Sequence, residues 1–144
     1  MEKNKLLHIK IGKNEFLLDL NFVEKVDNSY ELFPIPFVDD HIKGLVYIMG
    51  EIWVVISIED FIGEKRVERP LNNLIILLRE EENFIALLCD EIKGIHEEQI
   101  ISKKTLEMGE KNLPLDSITK VYVIDEAPVY KIDFKKLIRE LSRF

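Results

Sequence analysis

The chain has 144 residues, of which 47% are hydrophobic and 33% are charged. A chain of this length typically forms one domain and buries about 70% of the surface that it exposes when unfolded, which excludes a disordered tail and a small disulfide-stapled scaffold. Its 27 acidic and 20 basic residues give a formal charge of −7, which disfavours a general binder of nucleic acid or of anionic membranes.

The sequence also predicts a cellular compartment. Cys89 is the only cysteine, so no intrachain disulfide can form and a reducing compartment is the simplest assumption. Charged residues interrupt residues 1–16, which argues against a signal peptide, and every apolar run is shorter than the roughly 20 residues that span a bilayer. We therefore expect residues 1–144 to form one soluble, cytoplasmic domain.

Alternation with a period of two dominates the first part of the chain. Residues 7–11 place apolar side chains on one face and His8 and Lys10 on the other, which predicts a half-buried strand. Turn residues 12–14 and a second strand over residues 15–20 complete a hairpin. Pro34 and Pro36 remove backbone donors from residues 33–37, so this segment is predicted to be an extended connector or an edge strand.

The middle of the chain predicts further hairpins. Residues 44–49 and 52–58 flank Gly50 and Glu51, and because both arms are apolar at nearly every position, we expect them to be covered on both faces. A helical turn over residues 58–63 is expected to end at Gly63. Residues 64–73 are charged and predict a mobile connection, and residues 74–79 and 84–88 predict a third hairpin.

The last part adds strands and one clear helix. We expect a short strand at residues 92–95, a polar loop with one helical turn over residues 97–117, and a strand pair at residues 121–124 and 129–132. Asp133 is the predicted N-cap of a terminal helix whose apolar stripe is Phe134, Leu137, Ile138, Leu141 and Phe144. Many short strands and one terminal helix predict an all-β barrel or sandwich.

No set of residues in the sequence predicts catalysis, a cofactor site or a metal site. Residues 96–100 (His-Glu-Glu-Gln-Ile) begin like a zinc-protease helix but lack the second histidine. Asp39, Asp40 and His41 are interpreted as a solvated loop, and Cys89 as a small buried apolar residue. The carboxylate pairs at residues 90–91 and 125–126 fall where strands end, which favours turns over acid–base catalysis.

Two features leave alternatives open. Tyr47 and Trp53 lie in a hairpin so apolar that periodicity does not separate core from interface, although the core is favoured. Lys135, Arg139 and Arg143 form a basic stripe on the terminal helix, which is interpreted as a solvated face. A docking patch for an acidic partner is the alternative for that stripe.

Several short motifs follow one another along the chain. Residues 16–23 (FLLDLNFV) read as an alternating strand and its exit, and Ile35-Pro36 leads into residues 42–52 (IKGLVYIMGEI). These segments resemble the CheW-like domain of bacterial chemotaxis, which has an alternating strand and a Gly-Val-Ile-Asn-Leu-Arg-Gly segment in the same order. Val55-Ile56 and residues 61–63 (FIG) complete this block. Residues 86–95 (ALLCDEIKGI) resemble a second block, and residues 129–133 with 137–138 resemble the closing segment, so the likeness covers nearly the whole chain.

The resemblance implies a fold, a role and partners. It implies an all-β fold of two small, intertwined, five-stranded SH3-like β-barrels that share a hydrophobic core, with a C-terminal helix. It implies a non-catalytic adaptor, without a cofactor, that joins the regulatory domain of a chemotaxis histidine kinase to the cytoplasmic tip of methyl-accepting chemoreceptors. Neither nucleic acid nor direct membrane insertion is expected. The alternatives are a CheW-like scaffold in another histidine-kinase pathway, and a β-barrel ligand-binding module.

The chain departs from the family pattern at two charged positions. Lys25 stands where the family has a glutamate, and Met49 where it has an arginine. The resemblance implies that both positions contribute to partner contacts, and a charge pair can fix the register of an interface. We therefore expect a divergent, more apolar docking surface around Lys25, Met49 and Trp53. The predicted partner-binding residues are Val23, Lys25, Val26, Ile35, Pro36, Gly44, Met49, Gly50 and Trp53.

Overall fold

A computed structural model describes residues 4–64, 74–101 and 113–142. The strands are β1 (Lys5–Ile11), β2 (Asn14–Asp19), β3 (Val23–Asp27), β4 (Ile42–Ile48), β5 (Glu51–Ile56), β6 (Leu74–Glu80), β7 (Asn83–Cys89), β8 (Glu91–Glu97), β9 (Ile118–Ile124) and β10 (Ala127–Ile132). The helices are α1 (Ile58–Phe61), α2 (Glu98–Ile101) and α3 (Phe134–Leu141), and a 3₁₀ turn covers Leu20–Phe22.

The strands form two five-stranded sheets, one in each of two compact units. The first unit joins both ends of the chain (residues 1–22 and 91–144), and its sheet has the order β8-β1-β2-β10-β9. The second unit is residues 23–90, with the order β3-β6-β7-β5-β4. The all-β class, the two five-stranded sheets and the terminal helix are therefore confirmed. The pairings among the described residues leave each sheet open at its two end strands.

The predicted hairpins β1–β2, β4–β5, β6–β7 and β9–β10 all pair antiparallel. Two parallel pairings, β2 with β10 and β5 with β7, join hairpins within each sheet. The expectation of a half-buried β1 is wrong, because His8 is only 4% exposed and its neighbours Leu7 and Ile9 are also buried. The strand is covered on both faces, and its polar side chain is satisfied by hydrogen bonds instead of by solvent.

One hydrophobic cluster of the first unit lies on one face of its sheet and includes Ile101 of α2. Its buried members are Leu6, Leu17, Ile101, Tyr122 and Val129. Glu98 fixes α2, because its carboxylate accepts hydrogen bonds from Asn4 Nδ2 at 2.8 Å, Tyr122 OH at 2.9 Å and Lys131 Nζ at 2.6 Å. Burial alone would raise the pKa of Glu98, but these donors outweigh it and hold that pKa below its ordinary value.

Trp53 lies in the core of the second unit, as the sequence favoured. The indole is 1% exposed, meets the Phe84 ring edge-on at 5.1 Å, and donates from Nε1 to the Ile48 carbonyl at 3.0 Å. Trp53 is therefore a core residue with its one polar atom satisfied. The surrounding buried residues are Val46, Val55, Ile75, Leu77, Ala86 and Leu88.

The helices agree with their sequence signals. Ser57 caps α1 by accepting from the Asp60 N–H at 3.2 Å, and Asp133 caps α3 by accepting from the Lys136 N–H at 3.0 Å. The apolar stripe of α3 is buried at Phe134, Leu137 and Leu141. Residues 65–73 of the predicted connection and residues 102–112 of the predicted loop lie outside the described residues, as do Arg143 and Phe144 at the end of the predicted helix stripes. The described part of the predicted loop contains α2, in agreement with the expected helical turn.

Candidate docking surface

The nine predicted partner-binding residues all lie in the second unit, but on different parts of its sheet. Val23, Lys25 and Val26 belong to end strand β3, whereas Gly44 belongs to the opposite end strand, β4. The others lie in the connector before β4, in the β4–β5 turn, or on β5: Ile35, Pro36, Met49, Gly50 and Trp53. Strand pairing therefore does not place Lys25 beside Met49, and burial removes Trp53 from the surface.

The β4–β5 turn explains why residue 50 is glycine. Met49 and Gly50 have φ angles of 54° and 77°, so both central residues of this two-residue loop are left-handed. Such a loop matches the twist of the flanking strands, and glycine adopts it at no steric cost. Met49 accepts the same conformation at the tip of the hairpin, where its side chain is 55% exposed.

Side chains on β4 and β5 alternate between the core and solvent. Val46 and Trp53 are paired across the strands and buried, whereas the next pair, Tyr47 and Ile52, is 68% and 58% exposed. The expectation that this hairpin is covered on both faces is therefore wrong at its turn end. The outward pair Leu45 and Val54 continues the same apolar face toward the middle of the strands.

The connector before β4 extends that face by one residue. Phe33 forms a bridge with Leu45 through two backbone hydrogen bonds of 2.8 Å each, so their side chains share a face, and Phe33 is 50% exposed. The expected edge position is confirmed for Phe33, whereas Pro36 and Phe37 lie in a turn. Gly44 makes the approach possible, because a Cβ there would collide with the Phe33 carbonyl oxygen. We call Phe33, Leu45, Tyr47, Ile52 and Val54 the apolar face.

Acidic residues lie at the turn end of the sheet that carries the apolar face. Because β5 and β7 run parallel, the β4–β5 turn and the β6–β7 turn lie at the same end of the sheet. These turns carry Glu51 and Glu80, Glu81 and Glu82, against one arginine, Arg79, whose guanidinium lies 5.0 Å from the Phe84 ring centroid. The turn end of this sheet is therefore rich in acidic residues, of which Glu51 alternates with Ile52 and so belongs to the opposite face of β5.

The β3 edge is a second exposed region. Lys25 lies 3.2 Å from the Asp27 carboxylate, and Val26 is 38% exposed. A backbone hydrogen bond from Ser29 and, to a smaller extent, Lys25 hold the pKa of Asp27 below its ordinary value. The structure thus gives Lys25 a carboxylate partner on its own strand. A bulge between Val23 and Lys25 interrupts the pairing with β6.

The residues considered as candidate metal ligands or catalytic groups do not form a site in the described part of the chain. Within residues 4–64, 74–101 and 113–142, no three histidine, cysteine, aspartate or glutamate side chains are placed to hold a metal ion. His41 is buried with its ring edge against Phe61, while Asp39 and Asp40 are exposed, and Cys89 is buried. In the same part of the chain, no helix has the length and apolar character to cross a membrane.

Sequence reasoning missed three exposed apolar residues: Phe33, Ile52 and Phe37. Phe37 is fully exposed and has a φ angle of 60°, which is unusual for an aromatic residue. In the structure Tyr47 and Ile52 alternate with the core residues Val46 and Trp53. The sequence does not show this alternation, because the inward and the outward positions of this hairpin are both apolar.

The fold and the candidate site define a class of protein: a β-rich interaction module with an exposed apolar face. The sequence matches the CheW-like domain family over residues 5–142, so the chain belongs to that family. It is 20% identical to the chemotaxis protein CheW of Rhizobium meliloti (strain 1021) over 90 residues, which are 62% of this chain and 58% of that protein. Its fold is similar to the crystal structure of scaffolding protein TtCheW from Thermoanaerobacter tengcongensis, with a TM-score of 0.76, 16% identity, and coverage of 92% of this chain and 90% of that one.

Proposed function

We propose that the chain is a non-catalytic, cytoplasmic adaptor in chemotaxis, which binds the regulatory domain of a histidine kinase and the signalling tip of chemoreceptors. Membership of the CheW-like family and the names of its relatives support this role. The adaptor role requires binding alone, because the adaptor fixes the distance and orientation between its partners and the partners carry out the chemistry.

The observation that carries the proposal is the apolar face. Tyr47 and Ile52 are a directly opposed cross-strand pair, and both are more than half exposed on an otherwise well-packed sheet. Contiguous exposed apolar residues on a soluble protein mark interaction sites, because they cost solvation free energy until a partner covers them. Tyrosine is also among the residues that contribute most to interfaces, so Tyr47 is the expected anchor.

An adaptor needs two contact regions, because it holds two partners at once. The apolar face lies at the β4 end of the sheet order and the β3 edge at the other end. End strand β3 offers backbone groups that a partner strand can pair with, and Lys25 and Val26 border them. We propose that one partner binds the apolar face and the other binds the β3 edge. Binding measurements on surface variants decide which partner binds which region.

The test is binding of surface variants to the two isolated partners. Tyr47→Ser and Ile52→Ser remove apolar contacts from exposed positions, so the fold is retained and affinity for one partner falls by a factor of about 30 or more, the size expected for loss of an anchor worth about 2 kcal/mol. Ile95→Ser is the matched control, because Ile95 is also a strand isoleucine that is 58% exposed, but in the first unit.

A further substitution examines the departure from the family at residue 49. Met49→Arg places a cation at the tip of the hairpin, beside Glu51 and the apolar face. We expect its affinity for one partner to change while its stability does not. Unchanged affinity for both partners would show that residue 49 takes no part in docking.

A further inference from the structure

His8, Glu15 and His96 form a hydrogen-bonded row across three strands of the first unit. His8 on β1 contacts Glu15 Oε1 of β2 through Nε2 at 2.8 Å, and His96 Nε2 of β8 through Nδ1 at 2.9 Å. His8 is 4% exposed, so water does not replace these partners. The two imidazole rings lie 5.1 Å apart, between centroids.

The geometry of the row limits the number of protons that it can hold. With Glu15 ionised, His8 Nε2 must carry a proton and donate it to the carboxylate. His8 Nδ1 and His96 Nε2 then share a single proton at 2.9 Å, whichever of the two nitrogens carries it. The row thus accommodates two neutral imidazoles, or one neutral and one cationic imidazole. With both rings cationic, two N–H groups point at each other and the hydrogen bond is lost.

Charged groups from each neighbouring element surround the row. Lys10 follows His8 on β1 and is opposite Glu15 on β2, and Asp125, in the β9–β10 turn, acts electrostatically on His96. Glu98 of α2 is already engaged by Lys131 of β10. Burial, and then the charge on His8, lower the pKa of His96 below the ordinary 6.5, and Asp125 opposes them only in part. This direction agrees with the geometric conflict in the doubly charged pair.

The strand that carries His96 is an end strand, so a local change can release it. Strand β8 pairs only with β1 in the described sheet, and it leads directly into α2, whose Ile101 packs in the cluster with Leu6 and Tyr122. The pairing of β8 is already irregular between His8 and Ile9, where the register shifts. Separation of the two imidazoles would therefore loosen β8 and α2 before the rest of the sheet.

We propose that His8, Glu15 and His96 form a proton-operated latch, which holds β8 and α2 against β1 near neutral pH and releases them in acid, when a second proton enters the histidine pair. This device is independent of the adaptor role. Because His96 is harder to protonate when the latch is closed, the closed form loses stability as pH falls below 6.5. The equilibrium constant for opening then rises by up to about tenfold per pH unit until the closed pair is itself protonated.

The test combines two NMR measurements on the full chain. Nitrogen-15 spectra of the imidazoles should show, at neutral pH, a proton on His8 Nε2, and on acidification two separated protonation steps for the pair. Hydrogen exchange, expressed as protection relative to unfolded peptides at each pH, should show that amides of β8 lose protection between pH 6.5 and 5, while those of β6 and β7 in the second unit do not. Independent, single-step titration of His8 and His96 would overturn the proposal, and so would constant protection of β8.

Two variants separate the latch from general acid sensitivity. In His96→Gln, the side-chain amide still donates to His8 Nδ1 but cannot take up a proton, so protection of β8 becomes independent of pH in this range. His41→Gln, the control, changes the only other histidine, which lies in the second unit, and should leave the acid response of β8 intact. A persisting response in His96→Gln, or its loss in His41→Gln, refutes the latch.

Discussion

Glu140 is expected to contribute more to stability than a charged residue on a short helix usually does. Its side chain is buried, and its carboxylate accepts the backbone N–H of Asp116 at 2.6 Å and that of Ser117 at 3.0 Å. A third hydrogen bond, from the Asp133 N–H to the Ser117 carbonyl at 2.8 Å, also joins the segment before β9 to the start of α3. Glu140 therefore holds the segment before β9 against α3.

The structure sets the magnitude of the effect. In Glu140→Gln the amide oxygen accepts one N–H, while the amide nitrogen opposes the other. A hydrogen bond to a charged acceptor contributes about 1.5–3 kcal/mol, and leaving a buried N–H unpaired costs a similar amount. We expect the free energy of unfolding to fall by about 2–3 kcal/mol, which for a chain of this size lowers Tm by roughly 5–10 °C.

The assay is urea denaturation followed by circular dichroism, with thermal melting as a second measure. Arg139→Gln is the matched control, because Arg139 is exposed on the same helix, and it should change stability by no more than about 0.5 kcal/mol. If Glu140→Gln were as stable as Arg139→Gln, the two backbone hydrogen bonds would contribute nothing net and our account of this segment would fail.

Three further outcomes are expected. Gly44→Ala should break the bridge between Phe33 and Leu45 and cost about 1–3 kcal/mol, because a Cβ there collides with backbone at a φ angle of 145°; intact protection of those two amides from hydrogen exchange would contradict this. Trp53→Phe should cost about 1–3 kcal/mol in urea denaturation, since it removes the bond to the Ile48 carbonyl and leaves a void, and an unchanged midpoint would count against it. Glu98→Gln should be less stable than the wild type above pH 4.5, with the difference shrinking as pH falls further, because the folded state lowers the pKa of Glu98; a difference that does not vary with pH would refute that assignment.

The strands could be predicted because their signals are local. Turn residues at 12–14 and 50–51 separate apolar segments, although the observed loop between β4 and β5 lies one position earlier, at Met49 and Gly50. The i, i+3, i+4 stripe of α3 together with Asp133 predicted the helix and its start. Pairing between distant strands, such as β2 with β10, depends on contacts that no local pattern records. The same limit hid the burial of His8, whose partners lie on two other strands, one of them 88 positions away in the sequence.

The candidate site was only partly predictable, for a related reason. Residue identity pointed to Lys25, Met49 and Trp53, because these positions depart from the family pattern or carry a large aromatic ring. Exposure depends on which strand face meets the core, and this placed Trp53 inside and the equally apolar Ile52 outside. Phe33 belongs to the apolar face because it forms a bridge with Leu45, 12 positions further along the sequence.

The most direct test of the adaptor role is titration calorimetry of the chain against two partners from the same cell: the regulatory domain of the chemotaxis histidine kinase, and a receptor signalling-tip hairpin. We predict micromolar binding to each, and weaker binding to one of them for Ile52→Ser but not for Ile95→Ser. Binding to the kinase alone would mean that receptor docking has been lost. The absence of binding to both partners, with the chain fully folded, would contradict the adaptor role.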